Sequence, residues 1–284
     1  MKRIEINEFK VDNIPVITIY PNEAKKIPLI FYLHGYAREK EEAIEFGYKL
    51  AKMNFCVVSF DCWLHGERFN DTSVKKKFES VYPIDTGLDM YLTMHEVIEQ
   101  TNIDIHKLIR FFETQNVVDS EKIGVTGFSM GGFATFLIAA TNNRIKVAVP
   151  MGGKPSFKNA WDDVILGTST YKEWSEAIAK LENESRKRSN YLAEIDPYNR
   201  LDSFSPKPLL IINGDRDVDQ NYIYSLKLYE RLKPLYKDFP ERLRLFMPSV
   251  DHHLTSEIMN EATDWFKKYL NSGVSGTPNV SVQS

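Results

Sequence analysis

The chain has 284 residues, 43% of them hydrophobic, 26% charged and 12% aromatic, which is the make-up of a globular protein able to bury a large core. That length excludes a disulfide-held miniprotein or a short DNA-reading module. With 36 basic and 39 acidic residues, a formal net charge of −3 and no long block of either sign, a nucleic-acid partner is not expected.

The N-terminal residues Met1 to Glu8 break any apolar run with carboxylates, and no stretch approaches the roughly 18 apolar residues of a bilayer span. A cytoplasmic chain without a membrane partner is expected. Cys56 and Cys62 stand without a second Cys or His pair at metal spacing, so two reduced thiols and no metal are expected.

Strands are predicted over Ile4 to Val11, Ile14 to Tyr20, Pro28 to Leu33 and Phe55 to Phe60. Between the last two, Ala43, Phe46, Leu50 and Met53 recur at helical steps, giving strand, helix, strand, a parallel crossover unit. The alternation continues with a long helix around Gly87 to Thr114, strand Lys122 to Thr126, helix Met130 to Ala140 and strand Lys146 to Pro150. It resumes with strand Pro208 to Ile212, helix Tyr222 to Tyr236, strand Arg242 to Phe246 and helix Ser256 to Leu270. Leu209-Leu210-Ile211-Ile212 is apolar on both faces, as a strand covered by helices on both sides should be.

The interruption from Met151 to Ser205 is too long for a structureless loop inside a compact domain, so a helical insertion is predicted, a cap at about 154–205. Its Trp161, Tyr171 and Trp174 either line an acyl pocket or bury the insertion's own core. Residues 1–270 are expected to form one domain. The Ser, Gly, Thr and Pro content of 271–284 reads as a disordered tail.

Gly127-Phe128-Ser129-Met130-Gly131-Gly132, between a predicted strand and a predicted helix, satisfies Gly-x-Ser-x-Gly. A serine on so tight a turn needs small neighbours two positions either side, and the helix that follows aims free N–H groups at developing negative charge. The alternative is a glycine-rich helix start with a capping serine. A serine nucleophile needs a base, and the base an orienting carboxylate. Asp215, Asp217 and Asp219 stand at the carboxyl end of the Leu209 to Ile212 strand, and Asp251-His252-His253 precedes the last helix, in the chain order Ser, Asp, His.

These residues, with His34-Gly35-Tyr36 directly after the third strand, resemble the α/β-hydrolase superfamily over roughly residues 14 to 270. The likeness is to small serine esterases of the dienelactone hydrolase and prolyl oligopeptidase-like group. It differs from true dienelactone hydrolases in having serine rather than cysteine as nucleophile, and the chain is too short for the β-propeller of a prolyl oligopeptidase. The resemblance implies an α/β-hydrolase fold, a doubly wound mostly parallel sheet with a helical cap. It also implies cleavage of small carboxylic esters without a cofactor, a peptidase, an acyltransferase or a non-catalytic binder being the alternatives.

By the same resemblance Ser129 is the nucleophile and Asp217, at Gly-x-x-Asp spacing after Gly214, is the triad acid. His252, following an acidic residue, is the base in preference to His253. The Tyr36 and Met130 backbone N–H groups form the oxyanion hole, Gly35 gives the backbone room to turn, and His34 braces the loop. Asp61 to Arg68 is similar to a His-Gly-Glu-Arg loop of bacterial esterases and serves either substrate contact or a salt-bridged turn. His95 and His106 read as surface or packing residues. Nothing in the sequence specifies the oligomeric state or the acyl-chain length.

Overall fold

The computed structural model describes residues 2–69, 88–165, 182–220 and 222–271. These form an eight-stranded sheet in the order β1-β2-β4-β3-β5-β6-β7-β8. The strands are β1 (Ile4–Val11), β2 (Ile14–Pro21), β3 (Ile27–Leu33), β4 (Cys56–Phe60), β5 (Val118–Phe128), β6 (Ile145–Met151), β7 (Leu209–Ile212) and β8 (Leu243–Phe246). β2 lies antiparallel to both β1 and β4, and every pairing from β4 to β8 is parallel. The chain therefore opens with a hairpin and then winds through parallel crossovers. Asp12 and Asn13, with φ of 47° and 65°, turn that hairpin in two residues, because short polar side chains tolerate the left-handed region. β1 keeps Glu8 and Lys10 on its exposed length, charges that protect an edge strand from pairing with another chain.

The α-helices among the described residues are α1 (Ile44–Lys52), α2 (Leu88–Glu113), α3 (Met130–Thr141), α4 (Phe157–Ile165), α5 (Glu182–Ile195), α6 (Ile223–Leu232) and α7 (Ser256–Phe266). Alternate residues of β3 show the two layers. Leu29, Phe31 and Leu33 face a core built with Val97, Leu108 and Phe112 of α2, Phe133 and Leu137 of α3 and Leu228 of α6. Ile30 and Tyr32 face the opposite core, with Phe46 and Leu50 of α1 and Met259 and Trp265 of α7. Such a strand has no polar face, which is why β3 reads as an unbroken apolar run. α3 is buried around its whole circumference through Ala140, so its sequence carries no amphipathic pattern.

Between β6 and β7 the described residues form α4, α5 and two single turns, Pro197–Asn199 and Leu201–Ser203. Asp196 ties them together: its carboxylate accepts from Tyr198 N–H at 3.0 Å, Lys158 N–H at 3.1 Å and Ser156 Oγ at 3.3 Å. Trp161 is buried with Phe157 and Leu192 in the first core, so it packs rather than lines an open pocket. Tyr171, Trp174 and the tail beyond residue 271 lie outside the described residues. No helix among the described residues is long and apolar enough to cross a membrane.

Candidate active site

The turn from β5 into α3 places Ser129 at φ 57° and ψ −119°, a conformation costly for any residue with a Cβ. Neighbouring contacts hold it there. Ser129 N–H donates to Met151 O at 3.0 Å, and Ser129 O accepts from Phe133 N–H at 3.1 Å. The flanking glycines are a steric requirement: a Cβ on Gly127 would sit 2.6 Å from the Leu33 carbonyl oxygen, and one on Gly131 only 1.9 Å from the same atom. The backbone can turn this tightly against β3 only if both positions lack a side chain.

Three loops at the carboxyl ends of the strands bring the polar groups together. His252 Nε2 lies 2.9 Å from Ser129 Oγ, and His252 Nδ1 lies 2.7 Å from Asp217 Oδ2. An ionised carboxylate can only accept, so with Asp217 charged Nδ1 carries the proton, and in the neutral ring Nε2 is left free to accept from the serine hydroxyl. The other oxygen of Asp217 accepts from Gln220 N–H at 2.8 Å, so both are engaged. Asp217 is buried at 5% exposure, whereas Asp215 and Asp219 face solvent. His253 also points outward, paired with exposed Asp251 at 2.6 Å. The Asp and His loops are lashed to each other by Asp215 N–H to Pro248 O at 3.0 Å and Arg216 N–H to Val250 O at 3.2 Å.

Lys154, on the loop after β6, adds a cation that spacing did not reveal. Burial holds its ammonium below the ordinary lysine value, against the pull of Asp163, Asp217 and Asp219. Among the described residues no group of three or more His, Cys, Asp or Glu side chains could hold a metal ion.

Met130, the residue after Ser129, begins α3, whose first-turn N–H groups have no partner within the helix. Tyr36 is half-buried on the loop after β3, with its ring edge-on to His65 at 5.0 Å. A Cβ at Gly35 would stand 3.7 Å from Phe128 O, an ordinary contact, so sterics do not demand glycine there. What fixes that residue is its N–H, which donates to Glu42 Oε2 at 2.7 Å.

His34 is fully buried. Its Nε2 accepts from Cys62 N–H at 2.9 Å while Nδ1 donates to Gly35 O at 2.8 Å, joining the β3 loop to the β4 loop. The Asp61 to Arg68 segment is a turn built on charge. Buried Asp61 accepts from Lys40 N–H and Glu67 N–H, each at 2.9 Å, and Arg68 bridges Asp61 O at 3.1 Å to Asp104 of α2 at 2.7 Å. Leu64, His65 and Phe69 from this turn, with Tyr36, Arg38 and Glu42, line a hollow of about 720 Å³. His95 is buried edge-on to Phe157, and His106 lies on the surface of α2. Burial pushes both cysteine thiols up to about 12, so neither is a nucleophile at neutral pH.

Comparison with known proteins agrees with this architecture. The chain is 26% identical over 270 residues to the putative esterase YitV of Bacillus subtilis (strain 168), covering 94% of this chain and 100% of that protein. It is 24% identical over 269 residues to the esterase YjfP of Escherichia coli (strain K12), with the same coverage. An acetyl xylan esterase from Paenibacillus sp. R4 superposes with a TM-score of 0.67 over 95% of this chain and 90% of that one, at 17% identity, a likeness of fold. The model of the prolyl oligopeptidase family matches residues 95–273, a stretch that contains Ser129, Asp217 and His252. With well over half its length inside that match, the chain belongs to the prolyl oligopeptidase family, a family of hydrolases.

Proposed function

We propose that this chain is a carboxylic ester hydrolase acting on small esters through an acyl-enzyme. The observation that carries the reading is the hydrogen-bonded line from buried Asp217 through His252 to a serine held at positive φ. A structural capping serine needs neither the strained backbone nor the imidazole. The relatives YitV and YjfP carry the name esterase, in agreement with this chemistry.

In this reading Ser129 Oγ attacks the ester carbonyl as its proton passes to His252 Nε2, and Asp217 stabilises the imidazolium through Nδ1–H. The oxyanion forms beside the N–H groups of Met130 and Tyr36. The imidazolium then protonates the leaving alcohol, and water, deprotonated by the same imidazole, releases the acid. These steps call for no cofactor. The hollow lined by Tyr36, Leu64, His65 and Phe69 is proposed to receive one half of the ester, and the 154–205 insertion is proposed as the cap.

The test is hydrolysis of p-nitrophenyl acetate with covalent labelling by a fluorophosphonate. The expected result is turnover and one labelled serine, Ser129, with Ser129→Ala folded but at least about 10⁴-fold slower. Near-normal turnover in Ser129→Ala overturns the reading. Membership of the prolyl oligopeptidase family favours a second reading, cleavage of aminoacyl amides by the same machinery. Comparing kcat/KM on an ester and an amide with the same acyl group decides between them; a higher value for the amide selects the peptidase.

A further inference from the structure

Two hydrogen bonds, at Nδ1 and Nε2, fix a line through the His252 imidazole but leave the ring free to rock about that line. His252 lies on the loop between β8 and α7, so regular structure does not brake this motion. One side chain does. The ring of Phe128 stacks on the imidazole with centroids 4.8 Å apart and planes 29° from parallel. Phe128 itself is anchored in the sheet, as the last residue of β5, paired with Met151 of β6.

The site makes room for this stack at a residue 24 positions further along the chain. Gly152 sits at φ 58°, and a Cβ there would lie 2.8 Å from Phe128 Cε2 and 3.4 Å from His252 Cε1. Its N–H is tied to Ile212 O at 2.8 Å, so the glycine cannot retreat easily from the rings. Gly152 therefore lies at the edge of the stack, beside both rings, where a side chain would enter the space they occupy.

We infer that Phe128 is a positioning residue for the triad histidine, acting in two ways. Its ring blocks the rocking of His252, keeping Nε2 aimed at Ser129 Oγ. Its π-face also lies against the imidazole when that ring takes the serine proton and becomes a cation, a favourable arrangement with the negative face of an aromatic ring. The role rests on His252 being the base, as proposed above, and it adds a requirement on the residue between Gly127 and Ser129 that the Gly-x-Ser-x-Gly pattern leaves open.

The test uses the full chain and p-nitrophenyl acetate, with kcat and KM determined separately for Phe128→Leu and Phe128→Tyr and the thermal midpoint measured for each. Phe128→Leu, apolar but without a π-face, is expected to lower kcat roughly tenfold with KM held within about twofold. Phe128→Tyr, which keeps the ring, is expected to restore kcat to within about twofold of the parent. If Phe128→Leu does not fold, Phe128→Met carries the same expectation. Parent-like kcat in the Leu or Met variant, an equal loss in the Leu and Tyr variants, or a loss confined to KM overturns the inference. Ser129→Ala separates the two levels. If it stays active, the triad reading itself fails; if it is inactive while Phe128→Leu is unimpaired, only the role of Phe128 is lost.

Discussion

Near neighbours of the same type have opposite surroundings here, and that contrast gives the sharpest tests of the site. Asp217 is buried with both oxygens engaged, whereas Asp215 and Asp219 are exposed. Asp217→Asn should lower kcat by about 10⁴-fold, because an amide no longer enforces the Nδ1–H tautomer or stabilises the imidazolium. Asp215→Asn and Asp219→Asn should stay within about threefold of the parent, as exposed groups away from the reacting atoms. Steady-state kinetics on the three variants checks this, and similar losses in all three would contradict the assignment. His252 and His253 divide in the same way: His252→Ala should abolish turnover, while His253→Ala, which removes only an exposed pair with Asp251, should leave most of kcat. The sequence supplied the residue types and their order, but only the turn geometry decides which of two neighbours points inward. Asp215, Asp217 and Asp219 stand two positions apart and would share one face of an extended segment, so it is the turn after β7 that separates them.

The glycines around the nucleophile show where a pattern in the sequence has a steric cause and where it does not. A Cβ at residue 131 would come 1.9 Å from Leu33 O, and this backbone oxygen belongs to a central strand that cannot yield. Gly131→Ala should therefore lose most soluble folded protein. Gly35→Ala meets only 3.7 Å contacts and should fold with a thermal midpoint within about 3 °C of the parent. Soluble yield and calorimetry distinguish them, and a well-folded Gly131→Ala would mean that the turn can relax. Element positions were legible because apolar runs and helical spacing report burial directly, and β1, α2 and α3 fall within two residues of expectation. Three features had no local signal. β5 begins at Val118, four residues ahead of the predicted Lys122, and its pairing with β3 shifts register between Pro28 and Leu29. The helical spacing of Ala43, Phe46, Leu50 and Met53 opens on a single tighter turn, Lys40–Ala43, before α1. The contact of Gly152 with Phe128 joins the loop after β6 to the last residue of β5, so no periodicity within either segment announces it.

Across the whole fold, the loops after β3 and β4 meet through two buried imidazoles, His34 and His65, with ring centroids 5.2 Å apart, and the stability of the molecule should depend on keeping both neutral. Burial pulls His65 down from 6.5 to about 4, with the nearby His34 acting in the same direction against the Trp63 carbonyl and Asp61. Burial also lowers His34, against the hydrogen bond to Gly35 and the nearby carboxylates. Its Nε2 already accepts from Cys62 N–H, so protonation there would break the link between the two loops. In the unfolded chain these histidines take up protons near 6.5, whereas in the folded one His65 resists until about 4. The unfolded state thus binds more protons throughout that window, and stability must fall as the pH drops through it. The contribution of His65 is present in full above pH 6.5 and amounts to about 3 kcal/mol lost by pH 4. Exposed Glu67, held low by Lys10 and Lys40, and exposed Asp251, held low by its hydrogen bond with His253, lose stability in the same direction only at lower pH, through the carboxylate range, and buried Asp196, whose carboxyl is raised, works against it. Guanidinium unfolding at pH 7.5, 6.0, 5.0 and 4.5 should show this decline, and His65→Gln should flatten it while lowering the value at pH 7.5. An unchanged slope in His65→Gln would show that His65 does not carry the acid sensitivity of the fold between pH 7.5 and 4.5, leaving His34, also lowered by burial, as the imidazole between the two loops that does.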